Sequence, residues 1–235
     1  MTQHKYQATD RMSDLVGEDY SLLTVLSRFN ISLGFGDQSV AEVCARHGVD
    51  TCTFLSVVNF LCENDYSLEN GGEGTNLPSL ISYLKNAHRY FLGFKLPLIR
   101  VKLVEAIASS PKEVSFLILR FFDDYVLEVK RHMEYEDRTV FTYVEQLLDG
   151  TLLPDYNIGV FSKRHSPIGA KLSELKNIII KYYPAGESSN LLNEVLFDIF
   201  SCERDLLEHC RVEDYLFVPL IAQVEKERGV WAGKC

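Results

Sequence analysis

Four long stretches of the chain place apolar residues at helical spacing along one face. They cover about 80–108, 110–148, 156–182 and 188–228. The first shows the pattern clearly, with apolar side chains at positions 80, 84, 91, 92, 96 and 99. A period near 3.6 with polar residues on the opposite face is typical of amphipathic helices that share a core. The pattern therefore predicts an all-α protein.

Short connections join these predicted helices. Asp149-Gly150 ends the second, and Pro184-Ala185-Gly186 follows the third. Helices this long with few residues between them lie antiparallel to their neighbours, which predicts an up-down-up-down four-helix bundle. At the start of the second helix, Ser110, Pro111 and Glu113 match an N-cap, a first-turn proline and the glutamate of a capping box.

A cluster of glycine and asparagine between residues 63 and 78 predicts a domain boundary. Shorter helical patterns precede it, at about 15–29, 40–46 and 53–63, and no stretch alternates with the period of a strand. The expected organisation is a small helical domain at 1–65, a linker at 66–78, the bundle at 79–228 and a tail at 229–235.

Composition narrows the possible partners. A net charge of −9 disfavours nucleic acid, which requires clustered Lys and Arg to neutralise phosphates. No apolar run is long enough for a membrane span, and the polar start shows no secretory signal, so we expect a cytoplasmic protein. Six cysteines without a Cys-x-x-Cys pair are expected to be free thiols.

The candidate chemistry lies in a repeated spacing within the predicted bundle. The pattern His-x43-His-x3-Glu occurs twice, and each member of the second set follows its counterpart by 77 positions. Residues four apart share a helix face, so each His-x3-Glu pair points in one direction, and its neighbours place it on the apolar face. The two sets are His88, His132 and Glu136, and His165, His209 and Glu213.

Six ionisable side chains in one core are costly unless a cation compensates the carboxylates. Helix bundles build dinuclear metal sites from inward-pointing Glu and His residues. The simplest arrangement gives two histidines to each ion and lets Glu136 and Glu213 bridge both, with positions left open for oxo, water or a diatomic ligand. This donor set suits iron, and also manganese or zinc, better than magnesium or calcium.

Two further acidic residues repeat with the same offset of 77. Glu128 and Asp205 precede His132 and His209 by one helical turn, where a carboxylate can hold the second imidazole nitrogen of a ligand. Solvated acidic positions explain them equally well, and both interpretations stay open.

With these residues in place, the segment 80–225 resembles hemerythrin-like di-iron domains. It is most similar to the repair-of-iron-centres proteins, which regulate cell morphogenesis and nitric oxide signalling. The resemblance implies two iron ions per chain, oxo- or water-bridged, held by the six repeated residues. Oxygen-carrying hemerythrins usually have a second histidine on the third helix, four residues after the first; that position is Gly169 here.

The resemblance extends more weakly to residues 29–44. The family usually has two adjacent cysteines in the turn at Gly34 and Phe35, and both are absent here. Cys52 lies in the next predicted loop without a partner. We therefore expect the metal site to be present and the cysteine chemistry of the family to be absent.

The resemblance implies a role in nitrosative and oxidative stress: the binding or reduction of nitric oxide, the supply of iron for iron–sulfur cluster repair, or both. Its partners would be nitric oxide or oxygen and iron–sulfur proteins. The alternative is a non-catalytic sensor that signals through the N-terminal domain. A purely structural helical protein with incidental histidines is a third hypothesis. Catalysis and oligomeric state stay open.

Overall fold

The computed structural model describes residues 6–62, 74–151, 156–164, 169–184 and 190–229. Helices make up most of these residues, and the described chain has no strand beyond an isolated bridge between Arg11 and Ser39. The predicted fold class, an all-α bundle of four long helical segments after shorter helices, is confirmed. Most of the predicted linker, the end of the tail and His165 lie outside the described residues.

Residues 6–62 contain four short helices. They are α1 (Met12–Glu18), α2 (Leu22–Arg28), α3 (Val40–His47) and α4 (Thr51–Cys62). The single helix predicted for 15–29 was wrong, because Asp19 takes an extended conformation and its carboxylate accepts a hydrogen bond from the Ser21 N–H at 2.9 Å. A capping box between Ser39 and Glu42 begins α3.

The long segments agree with the predicted ones to within three residues. The first is α5 (Leu77–Tyr90) and α6 (Leu96–Ala106), the second α7 (Lys112–Tyr135) and α8 (Phe141–Leu148). The third contains α9 (Ile158–Arg164) and α10 (Gly169–Tyr182), and the fourth α11 (Asn190–Val212) and α12 (Val218–Glu227). Gly150, at φ 83°, follows the second segment where the sequence predicted its end.

The predicted capping box at the start of α7 was wrong. The helix begins at Lys112, so Pro111 is the N-cap, and no side chain caps the helix. The hydroxyl of Ser110 instead bonds to the hydroxyl of Tyr183. A tertiary contact therefore takes the serine that the local motif assigned to the helix end.

Within the described residues, three π-helical turns interrupt the long segments, and the sequence did not predict them. They span Phe91–Lys95, Glu136–Val140 and Glu213–Phe217. Each inserts one residue into a helical turn, a feature that is frequent at functional sites. Two of them begin at the repeated glutamates, 77 positions apart.

One compact unit takes residues from 1–87, 143–163 and 211–235. Within it, the ring of Phe29 lies 4.8 Å from that of Tyr83, and the guanidinium of Arg28 lies over the same tyrosine. In α12 of the same unit, the buried Glu225 accepts hydrogen bonds from the Tyr143 hydroxyl and the Ile158 N–H. The start of α9 is thereby tied to a buried carboxylate.

The second unit takes residues from 88–142 and 164–210. Its core contains Phe122, Val129, Ile199 and Leu206, all buried. Lys95 and Lys102 on the first segment pair with Asp198 on α11 at 2.7 and 2.9 Å. These units differ from the domains proposed from the sequence, and the boundary at 66–78 stays a prediction.

Two simpler expectations concern cysteines and membranes. No disulfide bond joins the five described cysteines, and three of them, Cys44, Cys202 and Cys210, are buried. Among the described helices, none combines the length and the apolar character needed to cross a bilayer.

Candidate metal centre

Four buried side chains of the bundle direct ligand atoms toward one point. His88, Glu136, His209 and Glu213 each offer one nitrogen or oxygen, and these atoms all lie within 4.8 Å of one another. Both carboxylates and His209 have no exposed surface, and His88 is 2% exposed. The sequence predicted all four residues, and the structure brings them together.

Individual distances define the arrangement more closely. Nε2 of His88 lies 3.2 Å from Nε2 of His209 and 3.3 Å from Oε2 of Glu136. The other oxygen of the same carboxylate, Oε1, lies 2.8 Å from Nε2 of His132. Glu136 thus contacts a different histidine with each of its two oxygens.

The local helix geometry explains why these residues meet. His88 lies in the last turn of α5, and His209 in the last turn of α11. Glu136 and Glu213 are the first residues of their π-helical turns. Residues four apart share one face of an α-helix, so each glutamate faces the core together with the histidine one turn earlier, and the wider turn changes the angular position of the residues after the glutamate.

Aromatic rings fix the two buried imidazoles. The ring of His88 stacks on Phe141, with centroids 5.6 Å apart and an interplanar angle of 23°. Phe91 meets His209 edge-on at 5.9 Å, and the two imidazoles meet at 5.0 Å and 71°. Close packing on these faces limits the rotation of the ligands and keeps the site dry.

One acidic residue at the site was not among the predicted ones. Oδ1 of Asp137 lies 2.9 Å from Nδ1 of His88, the ring nitrogen that faces away from the donor cluster. The sequence contained a signal for it, because an aspartate directly follows the glutamate in both sets, at Asp137 and Asp214. The repeated motif is therefore His-x3-Glu-Asp.

The remaining predicted site residues are not part of the four-residue cluster. His132 is 17% exposed and contacts the cluster through Glu136. His165 lies outside the described residues, so its predicted role is not tested. Glu128 is exposed and Asp205 half-buried, and their predicted role as partners of the imidazole nitrogens stays a prediction.

The donor set fits a transition-metal ion. Two fully buried carboxylates in one core are destabilising unless a positive charge is close. Ligand atoms about 2.1 Å from one ion, at right angles to each other, lie about 3 Å apart. The separations of 3.2, 3.3 and 2.8 Å match that value.

Comparison with known families agrees with this geometry. The model of the hemerythrin HHE cation-binding domain matches residues 79–221, which is more than half of the chain. The chain belongs to the hemerythrin family. The match spans all four clustered donors, and the domain and the buried His/Glu cluster together suggest a metal-binding site, with iron as the metal. No curated protein matches the chain.

Proposed function

We propose that this hemerythrin-like protein is a di-iron protein of the nitrosative and oxidative stress response. It would bind or reduce nitric oxide in the cytoplasm, supply iron for the repair of iron–sulfur proteins, or do both. The buried cluster of His88, Glu136, His209 and Glu213 carries this proposal, because it combines imidazole and carboxylate donors in a dry core.

The distances support an assignment of ligands to two ions. His88, His209 and Oε2 of Glu136 are mutually placed as ligands of one ion. His132 and Oε1 of Glu136 are placed as ligands of the other, and the repeat assigns His165 to it as well. Glu136 would hold both ions through its two oxygens, and Glu213 would do the same from the opposite half of the repeat.

Redox-active iron held by few protein ligands supplies open coordination positions for a diatomic molecule. Gly169 stands where oxygen carriers have a further histidine, which leaves one position more for such a ligand. The protein supplies the surroundings: Phe91 and Phe141 pack against the imidazoles and exclude water. A dry site favours a small neutral molecule over solvent.

Titration of the iron-loaded protein with nitric oxide under anaerobic conditions tests the proposal. We expect a change in the optical spectrum that saturates at a fixed ratio of nitric oxide to iron. His209→Ala should abolish the change, because it removes a fully buried donor. His47→Ala is the matched control, since this histidine bonds to Val43 and Ser32 in the N-terminal helices.

Two results would contradict the proposal. One is iron-loaded protein whose spectrum does not respond to nitric oxide. The other is an equal response from the wild type and His209→Ala, which would place the responding iron elsewhere. Gas analysis of the same samples with an added chemical reductant separates binding from reduction, because two molecules of nitric oxide, two electrons and two protons give one nitrous oxide and one water over repeated additions.

A second candidate function, a sensor that signals through the N-terminal helices, is favoured by contacts close to the ligands. The amide of Asn86, two residues before His88, donates to the Arg28 carbonyl at 2.6 Å. On the other side, the ring of Tyr215, two residues after Glu213, lies 6.2 Å from that of Phe60. Movement of either ligand helix would therefore reach α2 and α4.

Amide hydrogen exchange distinguishes the sensor from the catalyst. A sensor predicts slow or absent turnover of nitric oxide together with altered exchange at residues 22–30 after the ligand binds. A catalyst predicts turnover, with exchange in that segment unchanged. Asn86→Ala should weaken the response in residues 22–30 without removing iron, because it breaks the bond to Arg28 and leaves the donors in place.

A further inference from the structure

Two consecutive carboxylates of one helical segment bracket the ring of His88. Oε2 of Glu136 lies 3.3 Å from Nε2, and Oδ1 of Asp137 lies 2.9 Å from Nδ1. Neighbouring residues on a helix point in different directions, about 100° apart in an α-helix, so the two side chains approach the ring from different sides. Both nitrogens of the ring thus have a carboxylate partner.

The two carboxylates have different surroundings. Glu136 is fully buried, whereas the Asp137 side chain is 41% exposed. Asp137 therefore remains hydrated on one side. Its buried partner, His88, is also stacked on Phe141, so the bond to Asp137 completes the fixation of the ring.

This contact determines which nitrogen of His88 is available to a metal. A carboxylate accepts a hydrogen bond, so Nδ1 carries the proton that it donates to Asp137. Nε2 is then the nitrogen with the free lone pair, and it is the one that lies in the donor cluster. A carboxylate on the far nitrogen also makes an imidazole a stronger ligand.

We propose that Asp137 is a positioning residue that sets the orientation, tautomer and basicity of His88 and thereby raises the affinity of the centre for iron. The inference rests on the proposed function, since it requires that the cluster holds the metal. Asp137 itself does not bind the ion. It acts through the imidazole, from the position directly after the bridging glutamate.

Chelator competition with the anaerobically iron-loaded protein measures the effect. Asp137→Ala should lower the affinity for iron by about 10–100-fold, the range seen when such partners of metal-bound histidines are removed. Asp137→Asn should retain part of the affinity, because its amide oxygen still accepts the Nδ1–H bond but carries no charge. Glu134→Ala is the matched control: it lies on the same segment, its side chain is 39% exposed, and it pairs with Lys130.

A second measurement separates positioning from a general structural role. The negative charge of Asp137 stabilises the oxidised centre, so Asp137→Ala and Asp137→Asn should both shift its reduction potential to more positive values. Glu134→Ala should not. The stability of the metal-free protein should be the same in Asp137→Asn and in the control Glu134→Ala.

This inference alone would be overturned if Asp137→Ala and Asp137→Asn bind iron with an affinity within twofold of the wild type and leave the reduction potential unchanged. Wild-type protein that retains no iron would overturn the proposed function and the inference together. If Asp137→Ala does not fold, Asp137→Asn decides, because it preserves the shape and only removes the charge.

Discussion

Nε2 of His88 lies 3.2 Å from Nε2 of His209, in a core where both residues are almost completely buried. Two imidazole nitrogens at this distance repel each other through their lone pairs unless a proton or a metal ion lies between them. The carboxylates of Glu136 and Glu213 complete the cluster. A cation satisfies all four groups at once.

Metal removal should destabilise the protein. A ligand that binds only the folded state at 1,000 times its dissociation constant adds about 4 kcal/mol to the free energy of unfolding. For a chain of this size that corresponds to about 8–16 °C in Tm. Calorimetry of iron-loaded and chelator-treated protein measures the difference. Equal values of Tm would show that iron does not bind the folded state.

Glu136→Gln should cost more stability in the iron-loaded protein than in the metal-free protein. In the iron-loaded protein, the substitution removes a metal ligand. In the metal-free protein, it replaces a fully buried carboxylate, which is itself destabilising there, so less stability is lost. Urea unfolding of both forms gives the four free energies that this comparison needs. Glu134→Gln provides the baseline for a half-buried glutamate of the same segment. An equal loss in the two forms would contradict the prediction.

Tyr143→Phe and Tyr125→Phe form a matched pair in the core. The Tyr143 hydroxyl donates to the buried Glu225 at 2.5 Å, whereas the Tyr125 hydroxyl is buried without a hydrogen-bond partner in the described part of the chain. Burial raises the pKa of both phenols, so both are neutral at physiological pH. Tyr143→Phe should lower the free energy of unfolding by about 1–3 kcal/mol.

Tyr125→Phe should leave the free energy of unfolding unchanged or raise it, because removal of this hydroxyl breaks no hydrogen bond. Denaturant titration of the two variants side by side measures the contrast. If Tyr125→Phe is as destabilising as Tyr143→Phe, the Tyr125 hydroxyl has a partner that this account does not include.

Lowering the pH should weaken the ion pairs that Asp198 makes with Lys95 and Lys102. Burial opposes its ionisation, but hydrogen bonds from Lys95 and Lys102 outweigh that effect and hold the pKa of Asp198 below its usual value. Hydrogen bonds to Glu194 and Asp198 raise the pKa of Lys102 to about 12. Since the folded pKa of the carboxyl is lowered, its contribution is complete above about pH 4 and is lost as the pH falls further.

Asp198→Asn should therefore reduce stability at neutral pH by about 1 kcal/mol and flatten the dependence on pH below 4. Asp123→Asn, which disrupts the more exposed pair with Arg100, is the comparison and should have a smaller effect. Unfolding curves between pH 2 and 7 test both. An identical slope in Asp198→Asn and the wild type would exclude this carboxyl as the cause.

Repetition made the centre predictable. His88, Glu136, His209 and Glu213 could be identified because each belongs to a set that recurs after 77 residues on apolar helix faces. Asp137 was missed because its role depends on a π-helical turn, and the extra residue of such a turn hardly alters an apolar pattern. Ser110 was misassigned because its partner, Tyr183, is 73 residues away.

The iron content of the anaerobically reconstituted protein tests the central claim most directly, with Mössbauer spectra to identify the environment of the iron. We expect two iron ions per chain in the wild type and in His47→Ala, and fewer than one in His209→Ala. Wild-type protein that holds no iron, or His209→Ala that retains the full amount, would contradict the account.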